Sequence, residues 1–199
     1  MKQPPATRVH TTAAHYCAVL GDVTTFTPVL LDLARRTGLA KTARSCITAD
    51  GAAWIWNLAA LHFPDSVQIV DYYHARQHLA LAAQALFPDC PTQANAWFHT
   101  PTDDLFDGHL GPIVAELQQA GLTDAAAYFQ HHQDRMRYAD FRDAGYPIGS
   151  GSVESEVKQF KHRLDGSGMY WSRQGAENII PIRAAVLDGS FDTCWASAA

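Results

Sequence analysis

The feature that most constrains the fold is an alternation of short strand patterns with helical patterns in the first half of the chain. Three short apolar runs are predicted to be β-strands, at residues 15–20, 45–49 and 67–70. Segments with helical spacing follow each of them, at residues 22–38, 52–63 and 73–87. Strands that alternate with helices favour a partly parallel sheet with helices on its faces. The chain is therefore predicted to be an α/β protein.

The second half of the chain is predicted to be wholly helical. Two or three helices are expected between Thr92 and Tyr138, with interruptions at Pro101, Gly108 and Gly121. The composition of residues 145–152 predicts a loop. The remaining expectations are a helix from Ser152 or Val153 to about Leu164, a break at residues 166–168 and a last helix over about 173–187.

Composition indicates a globular protein of one domain. The chain has 199 residues, of which 47% are hydrophobic and 18% charged. No apolar run approaches the ~20 residues that cross a bilayer, and residues 1–12, which we expect to be disordered, do not form a secretory signal. The four cysteines are scattered and are expected to be reduced. We therefore expect a cytoplasmic protein with no membrane association.

The net charge of −5 is unusual for a protein that binds DNA by itself. Local basic density rises once, in the cluster Lys158, Lys161, His162 and Arg163. Taken alone, this cluster is typical of a solvated helix face. Any DNA contact made by this chain is therefore expected to be local.

Asp50 and Asp71 each follow a predicted strand directly. In sheets of this kind, ligands bind outside the carboxyl ends of the strands. Asp50 is followed by Gly51, which allows a sharp turn, and carboxylate oxygens are the ligands that Mg²⁺ prefers. The alternative is that Asp50 caps the helix that contains Trp54, and the dipeptide alone favours this alternative.

Glu154 follows a glycine- and serine-rich run, at residues 149–152, and is predicted to lie in the first turn of a helix. Glycines let other groups approach the backbone, and a helix N-terminus attracts phosphate. Glu154 could equally serve the helix dipole or a capping box. The run is not a phosphate-binding loop of the Walker type, because the lysine and hydroxyl residue that end that motif are absent.

His74 and His78 lie one helical turn apart and are expected to share one helix face. Such a pair could bind zinc. However, no cysteine or glutamate stands at a convincing spacing, and the HExxH pattern is missing. The residues therefore favour structural hydrogen bonding over metal binding.

Four motifs in order resemble DDE transposases of bacterial insertion sequences of the ISKra type. They are residues 49–56 (ADGAAWIW), residues 70–79 (VDYYHARQHL), residues 147–154 (PIGSGSVE, with Lys158 and Arg163 after it) and a tail that contains residues 166–169 (GSGM), Trp171-Ser172, Gly175-Ala176 and Leu187. The resemblance extends from Tyr16 to Trp195.

The resemblance implies a partial RNase H-like fold over residues 13–195, truncated at its N-terminal side, with an all-helical insertion at about 91–140. Asp50 would be the second catalytic carboxylate and Glu154 the third, and both would hold Mg²⁺ or Mn²⁺. Asp71 and His74 match a D-x-x-H element, which implies a supporting catalytic role. Lys158, Lys161 and Arg163 would bind DNA, and the partners would be transposon ends and target DNA.

The sequence also departs from the family. The family's first aspartate is not found, since a single predicted strand precedes the first helix and Asp22 is interpreted as a helix cap. Asp165 and Tyr170 stand where basic residues are expected. We therefore expect weak metal binding, no activity of the chain alone, and an oligomer or a complementing N-terminal half. The incomplete sheet would expose an edge that favours aggregation.

Two other interpretations stay open. The first is a non-catalytic nucleic-acid- or protein-binding remnant of the transposase scaffold, which the absent first aspartate favours. The second is an unrelated metal-dependent hydrolase, which does not explain the four motifs together. Whether the chain is an enzyme is therefore left open by its sequence.

Overall fold

The chain is mainly helical and contains one small parallel sheet. The computed structural model describes residues 13–149, 158, 164 and 166–196. In chain order the elements are α1 (Val23–Arg36), a 3₁₀ turn (Leu39–Lys41), β1 (Cys46–Ala49), α2 (Ala53–His62), β2 (Val67–Val70), α3 (Tyr72–Leu86), α4 (Pro91–Asp107), α5 (Leu110–Gln119), α6 (Thr123–His131), a second 3₁₀ turn (Gln133–Arg135), α7 (Tyr138–Asp143), α8 (Arg173–Leu187) and α9 (Phe191–Ala196).

The sheet is a parallel pair formed by β1 and β2 with α2 as the crossover. The register runs from Cys46 opposite Val67 to Ala49 opposite Val70. Ile69 and Val70 are fully buried, which explains why β2 reads as a continuous apolar run apart from Gln68. The pairing confirms the predicted strands at 45–49 and 67–70 and agrees with an α/β class.

The strand predicted at residues 15–20 is wrong. These residues carry no strand assignment, and in the part of the chain that the structure describes the sheet has two strands. An apolar run becomes a strand only when a neighbouring strand pairs with its backbone N–H and C=O groups. The sequence supplied the run but could not show whether such a neighbour exists.

Helices α4 to α7 fill the region in which a helical insertion was predicted. Gly108 ends α4 with a left-handed backbone, φ 82°, as its position predicts. The interruption predicted at Pro101 is wrong, because α4 continues through it. Pro101 lacks the N–H group for one helical hydrogen bond, and it lies buried within the continuous helix.

One hydrophobic core joins the sheet to the helices that follow it. Helix α3 supplies Tyr72, Ala75, Leu79 and Ala82 to it. The other buried members are Trp56, Ile69, Val70, Leu105, Phe106, Leu110, Ile113, Leu117, Ala126, Phe129, Met136, Tyr138 and Phe141. All of these lie between residues 46 and 149, which form one of the two compact units of the chain.

The second unit contains residues 13–45 and the described residues from 158 onward. Asp22 caps α1 by accepting hydrogen bonds from the backbone of Thr24 and Thr25, which confirms its interpretation as a cap. Ser172 caps α8, whose bounds match the predicted last helix. The predicted helix at 152–164 lies outside the described residues except for Lys158 and Leu164, which are helical.

Two further sequence expectations concern thiols and membranes. Cys17 and Cys90 are free thiols, and they are half-buried, as is Cys46. Of the helices that the structure describes, none has the length and apolar character needed to cross a bilayer. Residues 1–12, for which disorder was expected, lie outside the described residues.

Candidate functional site

Asp50 and Asp71 lie at the same edge of the sheet. Each directly follows the last residue of its strand, and those last residues, Ala49 and Val70, are register partners. The backbone N–H of Asp71 donates to the carbonyl oxygen of Ala49 at 2.7 Å, which continues the ladder by one bond. The structure thus brings together two of the residues that the sequence singled out for chemistry.

Asp71 has a structural task at this edge. Its side chain is 4% exposed, and its Oδ1 accepts hydrogen bonds from the backbone N–H groups of Tyr73 (2.8 Å) and His74 (3.0 Å). These bonds cap the N-terminus of α3, where donors would otherwise be unsatisfied. Asp71 therefore fixes the start of the helix that carries His74, a role that the sequence analysis did not identify.

Asp50 is exposed and stands at a sharp turn. Its Oδ1 accepts a hydrogen bond from the backbone N–H of Ala52 at 3.0 Å. Gly51 has φ 100°, a conformation that strongly favours glycine. The alternative that Asp50 caps α2 is wrong, because the N-cap residue is Ala52 and no side chain caps this helix. The carboxylate of Asp50 therefore faces solvent at the carboxyl end of β1.

The loop that leads towards Glu154 is attached to this same edge. The carbonyl oxygen of Ile148 accepts a hydrogen bond from the backbone N–H of Tyr72 at 2.8 Å. A Cβ on Gly149 would lie 2.7 Å from Cε2 of Tyr73 and 3.9 Å from Oδ2 of Asp71. A side chain at position 149 would therefore force the Tyr73 ring to move, which favours glycine there. Glu154 itself lies outside the described residues, as do Lys161 and Arg163, while Lys158 is helical and exposed.

His74 and His78 share a face of α3, as their spacing predicts. Their ring centroids are 5.1 Å apart, and the ring of His78 stacks on that of Tyr128 at 3.7 Å with an interplanar angle of 15°. Burial, and then the nearby His74, lower the pKa of His78. Among the residues that the structure describes, no three histidine, cysteine, aspartate or glutamate side chains are grouped so as to hold a metal ion.

Helix α6 and the turn after it supply side chains that the sequence analysis missed. A Cβ on Gly51 would lie 3.4 Å from both the hydroxyl oxygen of Tyr128 and Nε2 of His132. Tyr128 and His132 are four positions apart, a spacing that places both side chains on one helix face. This spacing was the feature of the sequence that could have identified them as a pair. The chain distance of almost eighty residues from Gly51 concealed their proximity.

The side chains of Tyr128 and His132 are both uncharged at neutral pH, because their pKa values are shifted. Burial, together with the charges of Asp50 and Asp71, raises the pKa of Tyr128 well above its ordinary range. Burial, followed by His131, Arg135 and His78, lowers the pKa of His132 to about 4. At neutral pH Tyr128 is therefore a hydrogen-bond donor and His132 an uncharged imidazole.

The two residues that approach Gly51 each carry a buried polar atom without a hydrogen-bond partner. Buried polar atoms are normally paired. Yet the Tyr128 hydroxyl and Nδ1 of His132 have no hydrogen-bond partner, and neither has Nε1 of Trp56, whose ring centroid lies 6.4 Å from that of His132. The Trp56 ring also lies 4.9 Å from the guanidinium of Arg135, whose Nε donates to Oε1 of Gln68 at 2.8 Å. The edge of the sheet thus has an exposed carboxylate, that of Asp50, and an unpaired hydroxyl, that of Tyr128, beside the neighbouring Gly51.

Comparison with known proteins gives one weak similarity. No family model matches the chain, and no solved structure does. A stretch of 80 residues, 40% of this chain, is 26% identical to the "UPF0236 protein in vanSb 3'region" of Streptococcus gallolyticus. That stretch covers 18% of the length of the relative, so the chain corresponds to a small part of it.

Proposed function

We propose that this chain is a part of a DDE-type transposase that catalyses metal-dependent DNA strand cleavage and transfer in the complete protein. The observation that carries the proposal is the sheet edge, where Asp50 follows β1 next to Asp71 and the loop leading to Glu154 is attached beside them. A partial RNase H-like fold of the ISKra type is the finer form of the same proposal.

Asp50 is the described residue that supports a divalent-cation site in this proposal. The Asp50 carboxylate is exposed, and its Oδ1 accepts a hydrogen bond from the backbone N–H of Ala52. Asp50 and Glu154 would hold Mg²⁺ or Mn²⁺, which would supply charge stabilisation and activation of an attacking oxygen at a phosphodiester. Lys158, Lys161 and Arg163 would contact the DNA backbone.

Asp71 and His74 have distinct tasks in this proposal. The carboxylate of Asp71 holds the first turn of α3, so Asp71 is a positioning residue rather than a metal ligand. His74, whose backbone N–H is held by that cap, would support catalysis near the scissile phosphate. The variant His74→Ala is expected to keep the fold and reduce the cleavage rate, whereas an unchanged rate would remove this role.

The comparison supports the proposal only at a coarse level. The similarity to a UPF0236 protein is compatible with a transposase-related chain. The motif order and the geometry of the sheet edge therefore carry the remainder of the proposal.

A second candidate is a non-catalytic nucleic-acid- or protein-binding remnant of the same scaffold. The use of the Asp71 carboxylate as a helix cap favours it, because one of the predicted catalytic groups is engaged in holding structure. The net charge of −5 favours a protein partner over DNA within this alternative.

The decisive experiment measures Mg²⁺-dependent cleavage of DNA that carries the ends of the insertion sequence. The chain is assayed together with the protein segment encoded immediately upstream of it. Asp50→Asn should reduce the rate by about a hundredfold or more, because it removes a metal ligand but keeps the side-chain size.

Asp65→Asn is the matched control. Asp65 is exposed and precedes β2, at the opposite end of the strand from Asp71. This variant should cleave like the wild type. Equal activity of the Asp50 and Asp65 variants, or cleavage in EDTA, would reject the transposase proposal and favour the binding remnant.

A further inference from the structure

The Tyr128 hydroxyl is a hydrogen-bond donor without an acceptor beside a proposed metal ligand. It is buried and unpartnered, and it lies 3.4 Å from the position that a Cβ on Gly51 would occupy. Gly51 is the residue directly after Asp50. A buried donor that stays unpaired is costly, so native proteins rarely retain one without a use.

The remainder of the Tyr128 side chain is firmly placed. Its ring stacks face to face on His78 at 3.7 Å and meets Phe129 and His132 edge-on at 5.3 Å and 5.0 Å. The aromatic contacts therefore account for the position of the ring. They do not account for the hydroxyl, since a phenylalanine would make the same contacts.

Nearby negative oxygens are the natural acceptors for this hydroxyl. Oδ1 of Asp71 already accepts two backbone N–H groups, whereas the carboxylate of Asp50 is exposed and can turn. A carboxylate that binds a metal through one oxygen commonly accepts a hydrogen bond on the other, and that bond fixes its orientation. Oδ1 of Asp50 accepts the backbone N–H of Ala52, and the unpaired Tyr128 hydroxyl lies beside the next residue, Gly51.

We propose that Tyr128 is a positioning residue for Asp50, whose carboxylate accepts a hydrogen bond from the Tyr128 hydroxyl when Asp50 binds a divalent cation. Helix α6 thereby supplies an orienting group to the metal site, so the helical segment takes part in the chemistry of the sheet edge. This inference rests on the proposed function, because it requires that Asp50 is a metal ligand.

The test compares two tyrosines that differ in one respect. The Tyr138 hydroxyl donates to the carbonyl oxygen of Val70 at 2.9 Å in the buried core, whereas the Tyr128 hydroxyl is unpartnered. Tyr128→Phe and Tyr138→Phe each remove one oxygen and keep the ring. Thermal unfolding without metal and Mn²⁺ binding, followed by the water-proton relaxation of Mn²⁺, are measured on the full chain.

We expect Tyr128→Phe to keep or raise the melting temperature without metal and to weaken Mn²⁺ binding by about tenfold to a hundredfold. Tyr138→Phe should lower the melting temperature and bind Mn²⁺ almost like the wild type at a temperature where it is folded. A lower melting temperature of Tyr128→Phe combined with unchanged Mn²⁺ binding would show a structural hydroxyl and overturn the inference.

Asp50→Asn separates this inference from the proposed function. If Asp50→Asn abolishes Mn²⁺ binding and Tyr128→Phe does not weaken it, the inference is wrong and the proposed metal site stands. If Asp50→Asn binds Mn²⁺ like the wild type, Asp50 is not a ligand, and both the metal site and the role of Tyr128 are rejected.

Discussion

The two compact units differ sharply in how they bury their apolar residues. The unit of residues 46–149 contains fully buried Ile69, Leu79, Leu105 and Phe129 within one continuous core. In the other unit, Ala184 is the one buried hydrophobic residue among those that the structure describes, and α1 has no buried residue. Apolar side chains are nevertheless present there, and many are exposed, such as Met169, Tyr170, Trp171, Ile182 and Val186.

The difference teaches that helical periodicity and burial are separate properties. Phe26, Val29, Leu30 and Leu33 recur on one face of α1, which is why that helix was predicted correctly. All four are only half-buried. A periodic apolar face therefore predicts a helix, but the stability of that helix depends on what covers the face.

The largest expected effect on stability comes from a cavity in the unit of residues 46–149, which is called the dense unit below. Phe129 is fully buried, so Phe129→Ala should lower the free energy of unfolding by about 3–5 kcal/mol. Ile182→Ala, at a site that is 43% exposed in α8, should lower it by less than ~1 kcal/mol. Urea denaturation measures both changes. Comparable losses in the two variants would contradict the contrast between the units.

A smaller effect is expected from removing a single hydroxyl. Tyr138→Phe leaves the carbonyl oxygen of Val70 without its buried donor and should cost about 1–3 kcal/mol of unfolding free energy. Tyr170 lies in the other unit and is 97% exposed. Tyr170→Phe is therefore the matched control and should unfold at the same urea concentration as the wild type. A shift for Tyr170→Phe as large as that for Tyr138→Phe would overthrow this ranking.

The dense unit should also confer a pH dependence on stability. Folding lowers the pKa of His132 from 6.5 to about 4, so the unfolded chain binds more protons between these two pH values. The contribution of the neutral His132 imidazole to the free energy of unfolding is therefore fully present above pH 6.5, and it is lost as the pH falls towards 4. The expected loss is on the order of 1 kcal/mol after allowance for solvent screening.

Urea denaturation at several pH values between 4 and 7 checks this prediction. His132→Phe should show a shallower decline than the wild type, because it lacks the titrating group. His15→Gln changes an exposed histidine in the other unit and should decline like the wild type. Identical slopes for the wild type and His132→Phe would show that His132 does not cause the pH dependence.

The smallest expected effect concerns the cap of α8. The Ser172 Oγ accepts a hydrogen bond from the backbone N–H of Gly175 at 3.0 Å. Ser172→Ala should therefore destabilise this helix by roughly 0.5–1 kcal/mol. Faster hydrogen exchange confined to the first turn of α8 is the readout. Ser172→Asp restores an acceptor and should recover the protection, and uniform acceleration across both units would contradict a local cap.

Sequence reasoning succeeded where local chemistry decides the outcome. Strand β2 and helix α8 have the predicted bounds, and the aspartates follow their strands at one sheet edge as expected. These features depend on periodicity, on caps and on the parallel arrangement of neighbouring strands. They need no knowledge of distant residues.

The failures share a dependence on distant partners. The run at residues 15–20 could not reveal whether a strand lies beside it, and the sequence around Pro101 could not reveal that this proline would lie buried within a continuous α4. The approach of Tyr128 and His132 to Gly51 joins segments that are far apart in the chain. The metal and DNA roles of Glu154, Lys161 and Arg163 remain predictions, because those residues lie outside the described part of the chain.

The bond from Tyr138 to Val70 has a consequence for the order of folding. It joins residues 68 positions apart, and the bond from Arg135 to Gln68 spans 67. The two strands are connected by a single crossover helix, so we expect them to pair before the bonds from Arg135 and Tyr138 form, because those bonds close much longer loops. Contacts that form after the rate-limiting step act mainly on the unfolding rate. We therefore expect the hydrogen bond of Tyr138 to lower the unfolding rate of this unit more than it raises the folding rate.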